Sequence, residues 1–153
     1  MAKPNNNNKQ RQNNDYFTKN IKQQGENFIG RKTATELQKD AIFIFRDIAK
    51  GNIDISKYGC YFEDDTFLTN CIIAANAKLI YSTISRDGVQ ALIEKNNMYG
   101  VADPVVYTVL QNHINTVTAY GIILANLTAI QNTNDINYLY VMANQLKQYR
   151  FNI

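Results

Sequence analysis

Glu63, Asp64 and Asp65 form the densest run of carboxylates in the sequence, and adjacent carboxylates are the ligands a hard divalent cation takes. They stand at the threshold of an apolar helical pattern, however. There, aspartates accept the free N–H groups of the first turn and suit the positive end of the helix dipole. His113 is the only histidine. An imidazole can shuttle protons or bind metal, but this one falls in a heptad series of apolar residues. At such a place a polar side chain sets register or meets a neighbouring subunit. Cys60 and Cys71 lack metal-ligand spacing, and Cys71 lies on an apolar face as a small core residue would. No G-x-x-x-x-G-K, G-x-S-x-G, H-E-x-x-H or C-x-x-C pattern occurs. The ten tyrosines, among them Tyr58, Tyr61, Tyr81, Tyr99, Tyr107, Tyr120 and Tyr138, have no regular basic interleaving and read as core-edge and interface residues. These residues predict no catalytic centre, no metal site and no cofactor: the chain is expected not to be an enzyme.

The elements that must position those residues are helices. Length, 153 residues, suits one domain with a tail. Thr33 and Glu36 have capping-box spacing, and Gly51 supplies a stop, so the pattern predicts a helix over about 33–50 with Leu37, Ala41, Ile44, Phe45 and Ile48 inward. Residues 52–63 read as a loop around Gly59. A second helix is expected over 65–86, with Leu68, Ile72, Ala75 and Leu79 inward and Gly88 as its stop. Residues 89–102 form a long connection in which Val89 to Glu94 make a short strand or a helical turn. Asp103-Pro104 opens a long helix to about Gln131, with the proline placed where its missing N–H costs nothing. Val106, Leu110, His113, Val117, Tyr120, Leu124 and Leu127 repeat at heptad spacing along it. A second stripe, Val105, Val109, Ala119 and Ile123, predicts contact on more than one side. Asn134 or Asp135 would cap a last helix over about 136–149. The expected fold is all-α: a central antiparallel hairpin of two long helices, flanking helices, a helical domain over 33–153 and an extended arm.

That arm, residues 1–32, is Asn-rich and basic. It carries seven lysines and arginines against two acids, while the remainder is net −2. Too few apolar residues occur in its first half to support folding alone, so the composition predicts a flexible segment. Tyr16, Phe17, Ile21, Phe28 and Ile29 supply scattered anchors further on. Such an arm suits phosphates, an acidic protein surface, or simple solvation. No run approaches ~18–20 consecutive apolar residues, and no apolar leader follows Met1, so a cytoplasmic protein without a membrane partner is expected.

From Asp65 to about Ile130 the order of features resembles the small subunit of phage terminases. An acidic residue opens a helix with a small, apolar face, DDTFLTNCIIAANAKLIYSTI. A glycine and a polar connection follow, RDGVQALIEKNNMYG, and Asp-Pro begins a second long helix, DPVVYTVLQNHINTVTAYGIILANL. The resemblance implies an oligomeric DNA-recognition and regulatory component of viral genome packaging, in the cytoplasm of an infected bacterium. Its partners would be further copies of itself, viral DNA and the large packaging subunit. Leu68, Ile72, Leu79, Val106, Leu110, His113, Val117, Tyr120 and Leu124 would form the oligomer interface. Lys9, Arg11, Lys19, Lys22, Arg31 and Lys32 would touch DNA phosphates. The chain departs from that family in having no convincing helix-turn-helix before residue 65.

An alternative is a structural protein of a tailed-phage virion, such as a capsid auxiliary, head-completion or connector component. Its arm would order on neighbouring capsid or portal subunits, and it would remain in purified particles. A helical DNA-binding regulator is disfavoured because the helix over 33–50 is close to neutral, with Lys39, Arg46 and Lys50 set against Glu36, Asp40 and Asp47.

Overall fold

Thr33 and Glu36 close the capping box reciprocally: Glu36 N–H donates to Thr33 Oγ1, and Thr33 N–H donates to Glu36 Oε1, each at 3.2 Å. Helix α1, Ala34–Ala49, follows and ends at Gly51, whose φ of +82° is open to glycine at little cost. The computed structural model describes residues 29–30, 32–51, 54–100 and 103–153. Of the expected arm only Ile29, Gly30 and Lys32 fall within that range, and the anchors Tyr16, Phe17, Ile21 and Phe28 lie outside it. All regular structure among the described residues is helical, as the periodicity predicts.

Residues 52–63 were expected to be a loop, but Ile55–Phe62 is a helix, α2. Tertiary packing overrides the loop-like composition here. Tyr58 and Phe62 are buried, and Phe62 meets Phe67 edge-on with ring centroids 5.4 Å apart. Tyr61 adds a second edge contact to Phe67 at 5.9 Å, while Tyr58 Oη donates to the Asp47 carboxylate of α1.

Asp64 caps helix α3, accepting the Phe67 N–H at 3.0 Å. This helix does not stop at Gly88. It runs as Asp65–Met98, 34 residues and ~50 Å. The expected strand or turn at Val89–Glu94 is helix interior, and the connection shrinks to residues 99–103. The physical reason is a seam that continues past the glycine: Leu68, Ile72, Ala75, Leu79, Ser82, Arg86, Val89 and Ile93 keep heptad spacing and are all at least half-buried. Two polar members, Ser82 and Arg86, hide its second half from a search for apolar residues. A glycine in an exposed helix interior is destabilising, and a methyl group at Gly88 would meet nothing within 4 Å. Gly88→Ala should therefore raise stability by ~1 kcal/mol in urea denaturation. A loss of stability would mean that the helix needs its glycine there.

Asp103 accepts the Val105 N–H at 3.0 Å and starts helix α4, Pro104–Thr133. It returns along α3 in the most extensive contact of the fold. Asn134 ends it in the left-handed region at φ 55°, so this residue closes α4 instead of opening the next helix. Helix α5 is Tyr138–Leu146, shorter than the expected 136–149, and tightens into a 3₁₀ helix over Lys147–Asn152. Asp135 accepts the Asn137 N–H in the turn before it.

The core gathers at one end of the α3–α4 pair. Phe67 to Ala75 and Ala119 to Ile130 pack there with Leu37, Phe45 and Ile48 of α1 and with Leu139, Met142 and Leu146 of α5. Its few polar side chains are satisfied. Asn70 accepts from Gln38 at 3.0 Å and donates to the Thr66 carbonyl, tying α1 to α3. Asn126 donates to Gln145 at 2.9 Å and to the Ile122 carbonyl, tying α4 to α5. The sequence has no uninterrupted apolar run of membrane-spanning length. As a helix, nonetheless, Asp65–Met98 contains an 18-residue stretch apolar enough to cross a membrane by length and composition. In this fold its inner face packs on α1 and α4.

Candidate functional site

Beyond about Leu79 and before about Thr118, the pair of long helices leaves the core behind. Only a thin seam remains between them. Ser82 and Ile93 are buried on α3, and Val106, Leu110, His113 and Val117 are half-buried on α4. Outside that seam, large apolar side chains stand in solvent: Ile80, Ile84 and Leu92 on α3, Met98 and Tyr99 at the tip, and Val105, Tyr107, Val109 and Ile114 on α4. With ~100° between successive residues, Val105 and Val109 fall on one flank of the α4 seam, and Tyr107 and Ile114 on the other. The distal segment thus presents apolar surface on two sides.

The expected interface residues divide between the two ends. Leu68 and Tyr120 are buried in the chain's own core, and Ile72, Leu79 and Leu124 pack half-buried against it. Val106, Leu110, His113 and Val117 line the distal seam. The second stripe divides likewise. Ala119 and Ile123 are fully covered, whereas Val105 (64% exposed) and Val109 are bare. Of the expected DNA contacts, Lys9, Arg11, Lys19, Lys22 and Arg31 lie outside the described residues. Lys32 is half-buried and ion-paired with Asp40 of α1. Among the described residues no cluster of three or more His, Cys, Asp or Glu is placed to hold a metal.

A groove of about 710 Å³ lies between α1 and α3 on the core end. Ala74 and Ala77 are among its lining residues with Ile42, while Phe43 (65% exposed) and Tyr81 (72% exposed) stand at its edges. Lys39, Arg46 and Lys78 line it too, and no carboxylate does. The helix-wide charge count conceals this surface, because α1 is near neutral as a whole. Its acids Glu36, Asp40 and Asp47 cluster on one side of its exposed face and Lys39 and Arg46 on another. A count resolved by helical face is the signal that finds it.

Buried titratable groups in the core are structural. Cys71 is fully enclosed and burial pushes its thiol up, so it remains an unreactive thiol at neutral pH. Tyr120 is 2% exposed, and burial pushes its phenol up to about 12, with Arg46 pulling slightly the other way. In the unfolded chain that phenol titrates near ~10. The folded state therefore holds its proton longer as pH rises. The stability linked to Tyr120 is complete below pH ~10 and is lost as pH climbs toward 12. Urea midpoints for Tyr120→Phe should fall less steeply with alkaline pH than those of the parent. Tyr58 and Tyr61, also raised mainly by burial, keep part of the slope in the variant. Identical slopes would mean that Tyr120 does not titrate in the folded core.

Against this geometry, comparison with protein-family models, with curated proteins and with solved structures gives no match to the chain.

Proposed function

We propose that this chain is a non-enzymatic assembly protein that joins copies of itself through the two flanks of its distal helix pair. In the role its sequence resemblance implies, it is an oligomeric DNA-recognition and regulatory component of viral genome packaging. The observation that carries the reading is the set of large apolar side chains that the monomer leaves exposed along the distal pair, Ile80, Ile84 and Leu92 on α3 and Val105, Tyr107, Val109 and Ile114 on α4. Large apolar side chains exposed in such number on one segment mark an interaction site. Two different flanks on one element favour a head-to-tail contact, in which each copy meets one neighbour on each side; such contacts generate rings when the rotation closes. The half-buried His113 lies within the seam between those flanks. The basic residues Lys9, Arg11, Lys19, Lys22 and Arg31 are the proposed DNA contacts. They would bind phosphates without reading bases, so affinity should fall steeply with salt.

Mass determination of the full chain in solution, with and without duplex DNA, tests the reading. An oligomer of defined size that shifts with DNA at low salt and recovers its free mass at high salt is the expected result. A monomer at all concentrations, indifferent to DNA, would contradict it and favour a particle component that assembles only on its capsid.

A further inference from the structure

The groove between α1 and α3 ends at Tyr81, one turn short of Ile84 on the same helix, and its charged lining calls for a different occupant from the distal flanks. Its apolar part, Ile42 with Ala74 and Ala77, is flanked by two exposed rings, Phe43 and Tyr81. Ala74 and Ala77 are one helical turn apart on α3, and their short side chains allow another backbone to approach closely. Around this apolar strip stand three cations and no acidic side chain. Neither Lys39 nor Lys78 takes part in an ion pair among the described residues. Arg46 donates to a main-chain oxygen of Ile153 at 2.8 Å and lies 5.5 Å from the Phe43 ring centre, which holds its charge at the groove edge. The carboxylates of α1 do not line the groove.

From this we infer that the α1–α3 groove docks an amphipathic helix of a partner protein, one with two apolar anchors a turn apart and acidic residues beside them. Apolar anchors at i and i+4 fit the strip formed by Ile42, Ala74 and Ala77. Flanking glutamates or aspartates meet Lys39, Arg46 and Lys78. This is the helix-in-groove mode of recognition, with register set by the anchors and polarity by the charges. A nucleic acid is the poorer fit, because the floor is apolar and the cations are spread around it, whereas a phosphate backbone is followed by a charged track. The chain's own basic arm is a poor fit too, since residues 1–28 carry excess positive charge and would be repelled.

The test uses the full chain and a fluorescent designed helix of ~18 residues, about five turns, with leucines at i, i+4 and glutamates on either side. A counterpart has lysine at every glutamate, and a labelled single-stranded oligonucleotide serves as the nucleic-acid probe. Fluorescence anisotropy should show the acidic peptide binding at least ~10-fold tighter than the basic one. Lys39→Glu with Lys78→Glu should reverse that preference, and Ala77→Arg should abolish binding of both peptides. All three positions are exposed, so thermal unfolding should be little changed. Equal binding of the two peptides, or binding that survives Ala77→Arg, would overturn the proposal. So would an oligonucleotide that binds tighter than the acidic peptide and competes with it. A self-association lost in the charge-reversed variant would assign the groove to a second copy instead, which also overturns it. The peptide readouts stand whether or not the distal flanks assemble.

Discussion

Ile84→Asp combined with Val109→Asp should dissolve the oligomer and leave the monomer folded. Both side chains stand in solvent on the distal helix pair, so each charge costs the isolated chain little, within about 0.5 kcal/mol per site. In an assembled state the same carboxylates would be desolvated against an apolar neighbour without a partner. That penalty is several kcal/mol per buried charge, enough to shift association by several orders of magnitude. Sedimentation velocity should give a single monomer species, with a circular dichroism spectrum and urea midpoint like those of the parent. Persistence of the parental oligomer would remove Ile84 and Val109 from the interface.

Phe45→Ala should produce the largest loss of stability. Phe45 is fully enclosed on α1, within the core shared with α3, α4 and α5. Removing a ring from such a site costs about 3–5 kcal/mol through lost burial and the cavity left behind. Domains of this size have roughly 5–15 kcal/mol of stability in all, so the variant should unfold at a much lower urea concentration. A change below about 1 kcal/mol would mean that the core end is loosely packed, contrary to the burial of Phe45, Ile123 and Leu139. The contrast between the two experiments is itself informative. In the proposed reading the core end governs folding, and the distal end governs association.

Helix starts were legible because they rest on local chemistry. Thr33 with Glu36, Asp64, and Asp103 with Pro104 each act within one turn of their own backbone, and each bond is present. Helix ends and short helices were less legible because packing decides them. Gly88 looks like a stop until Val89 and Ile93 are seen to extend the seam of Leu79 across two polar residues. The α2 helix depends on Phe62 reaching Phe67, a contact that no local pattern in residues 52–63 announces. The heptad on α4 was readable, but which part of it faces its own core and which part stays bare depends on how far α1 and α5 extend along the pair. That reach explains why Tyr120 is internal, whereas Val105 and Val109 are uncovered. The groove cations do not show in the net charge of α1, because its acids and its bases lie on different faces of the helix.

Hydrogen exchange measured peptide by peptide at two protein concentrations tests the central claim most directly. The distal segments, roughly residues 80–98 and 104–118, hold only a thin seam. In a monomer their amides should open far below the global stability. If their flanks are the subunit contacts, raising the concentration should slow exchange in those segments and leave the core-packed stretch from Ala119 to Ile130 unchanged. Exchange in the distal pair that is equally fast at both concentrations, in a sample whose mass has grown, would place the subunit contacts elsewhere and contradict the account.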